Sequence, residues 1–137
     1  MAEHSNGSTV RRFFVAQAAN DLTTLVDILA EDIVWHLPRG RTRLSLDPTV
    51  VGLDALAEMS ARNTEASDGT FRFKLESVFA GDSYAAAVTH NTATTASRAL
   101  DLHMVIQFQF EDGKIVEVWE SPDDIDAFTD FWRTDGV

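Results

Sequence analysis

The chain has 137 residues and no cysteine, with 22 acidic side chains against 11 Lys and Arg and a formal net charge of −11. That length makes one domain able to bury a core without staples, and the lack of thiols excludes a disulfide framework, a thiolate nucleophile and a thiolate metal site. The charge opposes phosphate backbones and anionic lipid heads, and no apolar run approaches the roughly 18 to 20 residues of a spanning helix. A soluble, cytoplasmic protein with neither nucleic acid nor membrane as partner is therefore expected.

Residues 1–8 are small and polar, with no apolar stretch of the signal-peptide kind. They read as a flexible tail before a single domain over 9–137. From Thr9 to Ala19 the spacing of Val10, Phe13, Phe14, Gln17 and Ala18 predicts an amphipathic helix. Asn20-Asp21 breaks it and caps a second helix over Leu22–Ala30, with Leu22, Leu25, Val26 and Leu29 expected inside. Asp32–Pro38 reads as a short strand ended by a proline that cannot donate to a ladder. Residues 39–51, RGRTRLSLDPTVV, form a long loop of the kind that lines functional sites. Its arginines, Arg39, Arg41 and Arg43, suit either an anion or simple solvation of the loop.

Gly52–Ala66 reads as a third helix burying Leu53, Leu56 and Ala57. Strands follow over Thr70–Ala80 and Ser83–Thr95, joined at Gly81-Asp82. From Leu100 to Phe110 every second residue is apolar, which makes a long strand with one buried face. Glu111-Asp112-Gly113 turns the chain, and Lys114–Glu120 runs back antiparallel. In SPDDIDAFTDFW, Ser121 can cap, Pro122 fits the first helical position and Asp124 completes a Ser-x-x-Asp box, with Ile125, Phe128 and Trp132 on one face. The order helix, helix, strand, helix, four strands, helix predicts an α+β fold with an antiparallel sheet.

FFVAQAANDLTTLVDILAEDIVWHLP, then VVGLDALAEM, then FEDGKIVEVWES, in this order and spacing, resemble the NTF2-like superfamily and, within it, the SnoaL-like and ketosteroid-isomerase-like proteins. The likeness runs from about residue 9 to 132. It implies a cone: a curved antiparallel, mixed-edge sheet wrapped around N-terminal helices, with an apolar pocket at the wide end and a homodimer formed through the outer face. Ketosteroid isomerases use a carboxylate base, a tyrosine and a protonated aspartic acid. The resemblance places these on Leu37, Phe13 and Ile106, none of which exchanges a proton. Standard steroid isomerisation is therefore not expected.

Within such a cone the expected ligand wall is Phe13, Phe14, Trp35, Leu37, Val88, Met104, Ile106, Phe108 and Val118, which suits a small hydrophobic molecule. His90, placed with Val88 on the inward face of its strand, is the leading acid/base candidate, with a structural histidine as the alternative. Trp35 and His36 alternate, so one of them should enter the cavity, Trp35 as its wall or His36 as a further acid/base candidate. Glu120 and Asp124 are candidate acids, whereas Asp101 and His103 fall on the outer face. The histidines show no metal-ligand spacing, and neither a metal nor a cofactor is expected. These features predict a cofactor-independent enzyme acting by proton transfer (isomerisation, cyclisation, dehydration or epoxide opening), the alternative being a non-catalytic binding protein of the same shape.

Overall fold

The computed structural model describes residues 4–38 and 49–132; Arg39, Arg41 and Arg43 lie outside the described residues. In chain order the elements are α1 (Ser5–Ala19), α2 (Leu22–Ile28), β1 (Leu29–His36), β2 (Thr49–Val51), α3 (Leu53–Ala66), β3 (Arg72–Ala80), β4 (Tyr84–Thr94), β5 (Ala99–Glu111), β6 (Lys114–Pro122) and α4 (Ile125–Trp132). The strands form one mixed, curved sheet in the order β2-β1-β6-β5-β4-β3. Neighbouring pairs are antiparallel except β1 and β6, which run parallel. An α+β fold is thus present, with one strand more than the sequence predicts. β2 has three residues inside the expected loop, too short to show a period of two.

The alternation of β5 is what organises the sheet. Leu100, Leu102, Met104, Ile106, Phe108 and Phe110 are buried, and the residues between them are exposed or nearly so. The turn to β6 is a two-residue loop, Asp112 and Gly113, both with positive φ (52° and 77°) and flanked by the pair Glu111 and Lys114. Such mirror-image turns match the right-handed twist of a hairpin, and Gly adopts the left-handed region without steric cost. Phe13 and Phe14 of α1 cover the inner face of the sheet, their rings 5.8 Å and 6.1 Å from Phe108, with Phe13 also 5.8 Å from Trp35.

The helix ends depart from the sequence reading in three places. α1 begins at Ser5, inside the expected tail. The Asn6 amide N–H donates to His4 Nδ1 (3.0 Å), and its side chain donates to the carbonyls of Gly81 (2.9 Å) and Asp82 (3.0 Å), so a long-range dock replaces local propensity. α2 is shorter than expected, because the chain enters β1 at Leu29; Leu22 and Val26 are exposed rather than buried, as is Ala57 of α3. α4 is capped by Asp124, which accepts from the Ala127 amide at 2.9 Å. Ser121 and Pro122 still belong to the ladder, opposite Val105 and Met104. The predicted break between α1 and α2 is present: Asn20 is left-handed (φ 55°), and Asp21 accepts from the Thr24 amide and hydroxyl. Those bonds hold the exposed Asp21 carboxyl below its ordinary pKa, the Thr24 side chain contributing most. Among the described residues no helix is long and apolar enough to cross a membrane.

Candidate functional site

Face assignment decides which titratable groups lie on the inner side of the sheet. On β4 the buried residues are Ala85, Ala87, Thr89, Asn91 and Ala93, opposite in parity to the sequence reading. Val88 and His90 therefore lie on the outer face. Thr89 and Asn91 hold the inner face with their polarity paired internally, Thr89 Oγ1 donating to Asn91 Oδ1 at 2.7 Å. A buried polar residue is tolerable once its partner is supplied, and this pair hides the inner face of β4 from a hydrophobicity reading.

On β6 the face is set by a bulge. Ile115 pairs with Phe110 and Glu117 with Gln109, leaving Val116 without an opposite residue, so the inner series is Ile115, Val118, Glu120. Glu120 stands opposite Ile106, whose side chain is buried. β1 runs alongside with Trp35 opposite Val118, and Trp35 is also buried. From there the Trp35 indole Nε1–H donates a hydrogen bond to Glu120 Oε2. Burial pushes the Glu120 carboxyl up from 4.5 to about 7, while the Trp35 N–H, which favours the anion, holds it back. The carboxyl thus stands near half-ionisation at neutral pH, within an apolar frame.

The other expected site residues fall into two groups. Phe13, Phe14, Met104, Ile106, Phe108 and Val118 are buried in the core and Leu37 is partly buried. His36 lies on the outer side, its Nε2 2.5 Å from Glu117 Oε2 and its ring stacked on Trp119 at 5.4 Å and 9°. Asp124 is exposed and occupied in capping. Asp123 extends the β5 pairing, its amide donating to the His103 carbonyl at 2.9 Å. An open groove lined by Arg12, Thr23, Thr24, Val26, Asp27 and Lys114 lies at α1, α2 and the start of β6, apart from Glu120. The sequence reading passed over Trp35 as a hydrogen-bond donor, although an indole N–H buried beside an acidic strand is a usable signal.

A six-stranded mixed sheet carrying helices, with the Glu120 carboxyl on its inner face, makes an α+β fold like that of NTF2-like proteins. The model of the SnoaL-like domain family matches residues 10–118, and the chain belongs to that family. An uncharacterized protein of Mycobacterium tuberculosis is 29% identical over 133 residues, covering 96% of this chain and 99% of that one. The structure of Bal32a, from a soil-derived mobile gene cassette, is 31% identical with a TM-score of 0.85 over 94% of this chain and 97% of that one. IdmH from Streptomyces antibioticus, described as a candidate polyketide cyclase, has a TM-score of 0.72 at 18% identity over 91% of this chain and 96% of that one, a likeness of fold alone.

Proposed function

We propose that the protein is a cofactor-independent enzyme that moves a proton on a small hydrophobic molecule, with Glu120 as the acid/base and Trp35 as the group that positions it. The observation that carries this reading is the Glu120 carboxyl, raised to about 7 and bonded by a buried indole N–H. A general acid or base works best with a pKa near the working pH. The carboxylate accepts a proton from an activated C–H or O–H of the substrate and returns it elsewhere, and the Trp35 N–H stabilises the carboxylate before the first transfer and after the second. Apolar neighbours such as Phe13, Ile106 and Val118 supply the low-dielectric surroundings in which such a bond is strong. Isomerisation, cyclisation, dehydration and epoxide opening all fit this chemistry, and the candidate polyketide cyclase IdmH shares the fold. Standard ketosteroid isomerisation is not proposed, since Phe13, Leu37 and Ile106 carry no titratable group.

A cytoplasmic homodimer is part of the same proposal. Val51, Phe79, Tyr84 and Val105 are exposed apolar residues, and their register puts all four on the outer face of the sheet. A second subunit would remove them from water. Sedimentation equilibrium should give twice the chain mass, and a monomer at tens of micromolar would refute the dimer.

The second reading, a binding protein without turnover, is favoured by those same three non-titratable positions. A panel of polyketide-, terpene- and steroid-like compounds screened by thermal shift, followed by turnover assays on each ligand, separates the two. In the enzyme reading Glu120→Gln keeps binding and lowers the rate by about 10² to 10⁴. Ligands that bind and are never transformed, or a Glu120→Gln variant with undiminished rate, would contradict it.

A further inference from the structure

On the outer face of the sheet, away from Glu120, two histidines and a glutamate come together. His90 of β4 and His103 of β5 are direct cross-strand partners, with ring centroids 4.8 Å apart and planes within 14°. Glu76 of β3 joins them, its Oε1 3.0 Å from His103 Nε2. One ligand atom from each of the three lies within 4.8 Å of the other two.

A bulge in β3 brings the glutamate there. Leu75 pairs with Thr89 and Ser77 with Val88, so Glu76 is an inserted residue with no partner of its own. Such an insertion re-aims a side chain. Here Glu76 and Ser77 both fall on the outer face, and the carboxylate meets the imidazole row. The surrounding charges are mostly negative: Asp101 Oδ1 is 2.5 Å from His90 Nε2, and Asp123 Oδ2 is 3.9 Å from His103 Nδ1. Lys74, opposite His90 across the β3–β4 ladder, is the neighbouring cation.

We infer that Glu76, His90 and His103 form a binding site for a late first-row divalent cation of the Zn²⁺ type. Imidazole and carboxylate suit Zn²⁺, Ni²⁺ and Cu²⁺, whereas Mg²⁺ and Ca²⁺ take all-oxygen sets. Metal–nitrogen and metal–oxygen bonds of about 2.0 to 2.2 Å require the three ligand atoms to close by about an ångström. Partly exposed side chains on rigid strands can do this by rotating about χ2. Asp101 is placed to serve as a fourth ligand once it gives up its bond to His90. Asp123 is placed to accept from the other nitrogen of His103, which orients a metal-bound imidazole. The site does not depend on the function proposed for Glu120, from which it is separated by the thickness of the sheet.

The test is Zn²⁺ titration of untagged, metal-stripped protein by calorimetry, with Co²⁺ absorption as a second readout. One equivalent per chain at micromolar Kd or tighter is expected, with visible Co²⁺ bands of low-symmetry coordination. His90→Gln, His103→Gln and Glu76→Gln should each weaken binding at least tenfold with unchanged melting temperature in metal-free buffer. His36→Gln, which alters the other His–carboxylate pair of the same face, should bind as the parent does. Binding well below one equivalent, or a loss in His36→Gln equal to that in the other three, would overturn the site. So would retention of parental affinity in His90→Gln and His103→Gln.

Discussion

Glu120→Gln should make the protein more stable at pH 8 and leave it nearly unchanged at pH 4. The folded carboxyl titrates at about 7 and the reference carboxyl at 4.5, so between those values the folded state holds a proton that the unfolded state has released. Stability from this group is complete below about 4.5, falls as pH rises, and is lost once pH passes about 7. At about 1.4 kcal/mol per tenfold change in proton affinity, the ionised carboxylate costs about 3 kcal/mol above neutrality. That is an upper limit, because Glu120 keeps part of its surface in water. Gln is nearly isosteric, carries no charge at any pH, and can still accept from the Trp35 indole through its amide oxygen. For a domain of this size, about 3 kcal/mol corresponds to a melting-point gain on the order of 10 °C. Thermal melts of both proteins from pH 4 to pH 8 measure it. The difference between them should grow with pH and level off above about 7, and a gap that stays constant across the range would refute the raised carboxyl.

Two further substitutions separate positioning from packing. Trp35→Phe removes the donor that holds the Glu120 carboxyl down; since a bond to a charged group contributes about 1.5 to 3 kcal/mol, the inflection of the pH–rate profile should move up by about one pH unit or more, while an unmoved inflection would show that the indole does not act on the carboxyl. Asp124→Ala deletes the α4 cap and should cost about 1 kcal/mol in denaturant unfolding with no change in rate per folded molecule, a loss of rate instead giving Asp124 a part in the chemistry.

How far the sequence reached depended on contrast between the faces of each strand. β5 was legible because apolar and polar residues alternate without a break from Leu100 to Phe110, and the Asp-Gly turn fixed its partner. β4, YAAAVTHNTAT, offers no such contrast. Its inner face is alanine plus a threonine whose hydroxyl donates to an asparagine, while Val88 sits outside; a hydrophobicity pattern then selects the wrong parity, and that of His90 with it. The register was nonetheless readable, since His90 and His103 are equidistant from the turn at Ala96-Ser97, and the outward placement of His103 carries over to its partner. Bulges at Glu76 and Val116 reverse parity partway along a strand, and nothing in local composition announces them. The start of α1 depends on carbonyls of Gly81 and Asp82 far along the chain. Glu120 could be named a candidate from its place beyond Val118. Its elevated pKa could not, because that property arises from burial beside Trp35 on a parallel neighbouring strand.

The most direct test of the account is the titration of the Glu120 side-chain carboxyl itself, followed through its ¹³C chemical shift in the wild-type protein and assigned by its absence in Glu120→Gln. The inflection should lie near pH 7 and move higher in Trp35→Phe. An inflection near 4.5, the value of an unperturbed glutamate, would contradict it and remove Glu120 as the acid/base.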